Sequence, residues 1–149
     1  MGKAIVIEML IQPCELIVKT LIPSVRAAVS RELIEKHGLR QVDVANFLGV
    51  TQAAISQYMR GARGGIMDLS SDEEIMEVVR RIAEGIVKGD LDKYEVSLLT
   101  CEICYRVRRK GLYRSSGVKM KGKYKEAIDL VCREYDEMRE RSGILERLK

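Results

Sequence analysis

The side chains of this 149-residue chain most suited to chemistry stand out in "LLTCEICYRVRRKG", which runs from Leu98 to Gly111. Cys101 and Cys104 lie three apart, and a basic cluster follows them at once. On a helix that spacing puts both sulfurs on one face, where thiolates are common ligands of zinc or an iron-sulfur cluster. Two thiols do not complete such a site. Cys14 and Cys132 would have to converge from other helices to supply the remaining ligands. The same two cysteines also continue the apolar series Leu98, Leu99, Ile103 and Val107, in which free cysteine behaves as a small buried hydrophobe. A disulfide or redox switch is the third reading, although four cysteines are too sparse for a secreted disulfide scaffold and thiols stay reduced in most cytosols. All three readings stay open on the residues alone, and no cofactor is required by them.

A second stretch carries recognition chemistry. "QVDVANFLGVTQAAISQYMRG", Gln41 to Gly61, has the spacing of a helix-turn-helix. Ala45 is small enough to let two helices cross closely, Gly49 permits a positive φ in the turn, and Thr51 can cap the second helix. Val44, Leu48, Val50, Ile55 and Tyr58 supply a shared small core. Gln52, Ala53, Ser56 and Gln57 are left on the outer side of the second helix, near its start, where such helices meet base edges in the major groove. Glutamine pairs with adenine in two places, and an alanine methyl suits the thymine methyl. Gln41, Arg60 and Arg63 are placed to hold phosphates, contacts that position a protein without reading sequence.

The elements that must carry these residues follow from periodicity. Apolar residues recur at helical spacing after residue 13, so the class is mainly all-α. "KAIVIEMLI" is the exception, being equally a short strand or a buried helix start. A helix is expected to open at Pro13, to kink or restart at Pro23, and to run to Gly38, with the single histidine, His37, beside its end. Two short helices follow, Gln41 to Leu48 and Gln52 to Arg60, and the glycine-rich "GARGG" then marks a boundary. Residues 1–66 would form the helix-turn-helix domain, and 67–149 a helical region for dimerisation and sensing. In that region "SDEE", from Ser71, has capping-box spacing ahead of a helix to about Gly89; Asp92 can cap another reaching about Lys110, and a last helix covers roughly Lys123 to Arg141.

The helix-turn-helix residues resemble those of the phage lambda repressor and Xre family. More narrowly, the stretch from Pro13 to Gly65 resembles a group of archaeal Xre-type predicted transcriptional regulators that begin with a proline-cysteine-glutamate helix and carry cysteines further on. The resemblance implies a lambda repressor-like domain that binds double-stranded DNA as a homodimer, with Gln52, Ala53, Ser56 and Gln57 at base-reading positions. Ala53 and Ala54 depart from the polar residues often found there.

Charge distribution adds a second contact surface. Residues 106–125 hold nine basic side chains and no acid, so Arg108, Arg109, Lys119 and Lys121 are candidates for salt-sensitive phosphate contacts. The plainer reading is a solvated tract that offsets residues 66–105, where ten acids face four bases. A protein-interaction adaptor, with the helix-turn-helix as a packing element and the basic tract on an acidic partner, is the competing function. An enzyme is disfavoured, for there is no phosphate loop, no nucleophile with histidine at motif spacing and no acidic metal cluster. No run of about 18 apolar residues is present, and a cytoplasmic protein without membrane contact is expected.

Overall fold

The computed structural model describes residues 13–61 and 67–115, together with the helical residues 130, 133, 134, 137, 138, 140 and 141. Every regular element among them is helical, so the fold is all-α. In order these are α1 (Pro13–Arg31), a π-helical turn (Glu32–Lys36), α2 (Gln41–Leu48), α3 (Gln52–Met59), α4 (Glu73–Lys88), α5 (Lys93–Arg109) and a short 3-10 turn (Leu112–Ser115). The expected strand or helix start in "KAIVIEMLI" lies outside the described residues. No described helix is long and apolar enough to cross a membrane.

α1 begins on Pro13, whose missing N–H would be unpaired there in any case. Pro23 does not restart the helix, which passes through it and widens into the π turn only at Glu32. Two buried serines are satisfied within α1: Ser24 Oγ donates to the Thr20 carbonyl at 2.8 Å, and Ser30 Oγ to that of Arg26 at 2.7 Å. The helical course then closes as expected near Gly38, whose N–H donates to the Ile34 carbonyl at 3.2 Å while that of Leu39 reaches Leu33 at 3.1 Å. His37 is exposed beside this end.

One hydrophobic core runs through all of these elements. Leu21 and Leu33, Val44, Ile55 and Tyr58, Ile75, Val79 and Ile82, and Ile103, Val107 and Tyr113 are buried in it. Burying each such side chain contributes about 1.5–3 kcal/mol before entropy is counted. α4 packs on α1 and on the π turn, so the core is continuous across the boundary drawn at residue 66 from the glycine-rich stretch. The apolar face of α4 meets its own chain.

Local signals place the two long helices of the second half. α4 is capped one residue later than expected, by Asp72 and not Ser71: Asp72 Oδ1 accepts the Ile75 N–H at 3.1 Å, whereas Ser71 Oγ donates to the Asp68 carbonyl at 3.4 Å. α5 opens on a full capping box, Asp92 accepting from the Glu95 N–H at 2.9 Å and Glu95 accepting from the Asp92 N–H at 2.8 Å. The turn between them is tight because Leu91 lies directly on Gly85. A Cβ at position 85 would come within 3.0 Å of the Leu91 Cβ and closer still to atoms beyond it.

Candidate nucleic-acid interface

The local rules that make α2 and α3 also fix the angle between them. α2 ends at Gly49, which adopts φ +63°, a conformation that costs an L side chain about 1–2 kcal/mol. This lets the Val50 N–H return to the Ala45 carbonyl at 3.0 Å, closing the turn. Thr51 then stands in extended geometry as the cap of α3, its Oγ1 accepting the Ala54 N–H at 3.1 Å. Val44, Ala45, Ile55 and Tyr58 are buried at the crossing, and Leu48 and Val50 are half-buried against the core. Arg31 adds a tie that spacing did not reveal: its Nη2 donates to the Tyr58 carbonyl at 3.4 Å, fastening the end of α3 to the end of α1.

The outer face of α3 is what this packing leaves over. Gln52 and Ala53 are exposed, and Ser56 and Gln57 are half-buried. Among the described residues, none of the side chains of Gln52, Ser56 and Gln57 is hydrogen-bonded to another, so their donors and acceptors face outward uncommitted. Ala54 belongs elsewhere. It is 6% exposed and packs inward, so of the two alanines that depart from the family habit only Ala53 stands at the surface.

α3 carries no charged side chain; the charges near the unit lie at its margins. Gln41 is half-buried in the first turn of α2, whose N-cap residue, Arg40, makes no side-chain cap. The acid in that turn is neutralised. Arg40 donates to both oxygens of Asp43, at 2.8 and 3.1 Å, and this holds the Asp43 carboxyl below the usual carboxylate range. Arg60 is exposed just past α3. Arg63 lies outside the described residues, as do Lys119 and Lys121.

The basic cluster that follows the cysteines proves to be largely occupied. Lys110 Nζ contacts Asp72 at 2.7 Å and Glu74 at 2.9 Å, and Arg106 contacts Glu102 at 2.9 Å and donates to the Glu74 carbonyl at 2.7 Å. These contacts fasten the end of α5 to the start of α4. Hydrogen bonding to Lys110 is the main cause of a lowered Asp72 carboxyl, and the same bond raises Lys110 above the usual lysine value. Arg108 is half-buried, its Nε donating to the Cys104 carbonyl at 3.4 Å. Arg109 is exposed beside Tyr105. That tyrosine is buried, and its hydroxyl, which donates to Glu140 Oε1 at 2.8 Å, is raised above the usual phenol value chiefly by burial.

The cysteines separate. Leu99, Ile103 and Val107 form the inward stripe of α5, and at about 100° per residue Cys101 falls nearly opposite it. Cys101 is therefore exposed and does not join the core, and Leu98, expected in the same apolar series, is 39% exposed. Cys104, one turn from Val107, is half-buried and packs against the core. The side chain of Cys14 and all of Cys132 lie outside the described residues. Among those described, no three metal-binding side chains gather.

Phe47 was missed by the spacing argument, being an apolar residue outside the buried set of α2. It is 56% exposed and faces a groove bordered by α1, α4 and α5. No curated protein and no solved structure matches the chain. Residues 31–65, from the end of α1 past α3, match the model of a helix-turn-helix family of the Xre and lambda repressor-like type, and this match suggests a DNA-binding regulator.

Proposed function

We propose that the chain is a sequence-specific transcriptional regulator that reads the DNA major groove through α3, from Gln52, as a homodimer. The observation that carries this reading is the division of α3 into two faces. Ala54, Ile55 and Tyr58 are committed to the core, while Gln52, Ala53, Ser56 and Gln57 face away from it. That outer face is polar and uncharged and stands beside a capped N-terminus, which is the chemistry that base-edge readout uses. Bidentate glutamine contacts to adenine would discriminate by about 1–3 kcal/mol each. In this reading Gln41 and Arg60 hold the phosphates on either side, and Arg109 adds a further one from α5. The homodimer rests on the two-fold logic of operators and on apolar side chains that the described chain leaves outside: Leu130 and Met138 are 56% and 60% exposed.

Selection of random duplex DNA by the purified chain tests the proposal. The expected result is enrichment of a palindrome whose half-sites lie about 10 base pairs apart or a multiple of that. A Gln52, Ser56, Gln57 triple-alanine variant should lose the preference while keeping non-specific binding. If both proteins select the same palindrome, the reading residues lie elsewhere. If neither selects any sequence, the adaptor reading takes its place.

A further inference from the structure

We propose that the groove between α1, α2, α4 and α5 binds a small amphipathic anion, an apolar chain or ring bearing one carboxylate or sulfonate head. The groove has a volume of about 680 Å³, within the span of roughly 300–1,000 Å³ that small-molecule sites occupy. Its walls are apolar, formed by Ile22, Val25 and Val29 of α1, Phe47 of α2, Ile86 of α4 and Val96 of α5.

The sign of the ligand follows from the polar groups at the rim. Arg26 and Lys93 border the groove and are exposed, and among the described residues neither has a carboxylate within ion-pair distance. Asp92 is the acid at the same rim; its Oδ1 accepts the Tyr94 and Glu95 N–H groups at 2.7 and 2.9 Å, which ties it to the first turn of α5, and the two cations outnumber it. The hydroxyls of Ser97 and Thr100 donate to the carbonyls of Lys93 and Val96, both at 2.8 Å. Lys93 Nζ lies 5.1 Å from the centroid of the Tyr94 ring, and among the described residues the donors left without a hydrogen-bond acceptor at the rim are therefore cationic. An anionic head meets them while its apolar body covers walls that water would otherwise wet.

The site also reaches the DNA-reading unit. Phe47 and Leu48 end the first helix of the helix-turn-helix, so an occupant touching them is linked to the pose of α3. By linkage, whatever the anion does to DNA affinity, DNA does to anion affinity. This second step rests on the proposed function, whereas anion binding itself is read without DNA.

The test is titration of the full chain with anilinonaphthalenesulfonate, followed by fluorescence, and with dodecanoate, followed by calorimetry. Saturable one-to-one binding of both is expected. Thr100→Trp, which fills the groove from α5, should abolish it, and Arg26→Gln should weaken it about fivefold, the size of an exposed charge contact. Arg26 is exposed, so the second variant stays informative if the first unfolds. Equal affinity for dodecanol or dodecyltrimethylammonium would overturn the anion assignment. Unchanged binding in both variants would overturn the site, as would a concentration-dependent dimer that Thr100→Trp abolishes in a chain that binds neither probe, since a second copy would then fill the groove. With a selected DNA site in hand, a shift in its affinity of about threefold or more at saturating dodecanoate supports the coupling. No shift removes the coupling and leaves the binding result to decide the site.

Discussion

The outer face of α3 and the junction of α4 with α5 handle their polar residues in opposite ways. At the start of α4 and the end of α5 the charges answer one another: Lys110 holds Asp72 and Glu74, and Arg106 holds Glu102 and the Glu74 carbonyl. On α3 the polar side chains have no such partners among the described residues. A cluster of bases in a sequence is thus no sign of an external partner by itself, since the fold can use those charges internally.

The difference between the two regions would mean little if they were separate bodies, and the largest effect tests that. Ile55 is fully buried in α3 and belongs to the same core as Ile75, Val79 and Ile103. Ile55→Ala should cost about 2–5 kcal/mol. With one shared core, α4 and α5 should unfold in the same transition as the helix-turn-helix. Urea melts followed by far-UV circular dichroism and by tyrosine fluorescence would check this, and two resolved transitions, only one of them shifted, would break the shared core into two.

The charged staple should prove smaller, and pH separates its parts. Asp72→Ala removes both the cap of α4 and the contact to Lys110, and should cost about 1 kcal/mol for the cap alone. Asp72→Asn keeps the capping oxygen and loses the charge at the helix N-terminus, a cost of about 0.5 kcal/mol. Because Lys110 lowers the folded-state Asp72 carboxyl, its contribution is whole above the ordinary carboxylate range and is lost as pH falls through the lowered value. The gap between the wild type and Asp72→Asn should therefore be open at neutral pH and close in acid. Denaturant melts at pH 7 and below about pH 3 would show it. A gap that stays constant would mean that the charge of Asp72 does not matter.

Much of the helix-turn-helix was legible because its determinants are local. Gly49, Thr51 and the spacing of Val44, Ala45, Ile55 and Tyr58 act within about twenty residues, and each stands in the role its type allows. α5 shows where such reading stops. Cys101 looked inward as part of an apolar series, but which residues of a helix face the core depends on what packs beside it, and Leu99, Ile103 and Val107 already fill that stripe. The Arg31 tie to Tyr58 and the contacts of Lys110 with Asp72 span 27 and 38 residues, and no local pattern announces them. The groove is less legible still, because its walls come from four helices.

The smallest effect separates two neighbouring arginines that the sequence cannot rank. Arg108 is half-buried and donates to the Cys104 carbonyl, whereas Arg109 is exposed with only Nη1 engaged, donating to the Tyr105 hydroxyl at 3.2 Å. To reach a phosphate Arg108 would leave a half-buried position and a backbone carbonyl, whereas exposed Arg109 would leave only its contacts with the Tyr105 ring and hydroxyl. If the basic end of α5 meets the DNA backbone, Arg109→Gln should reduce the slope of log affinity against log salt by about 0.9, the value of one phosphate contact. Arg108→Gln should change it less. Equal changes would erase the distinction between the half-buried and the exposed arginine. No change in either slope would exclude these two arginines from the interface and leave DNA binding to the face of α3 and its immediate margins.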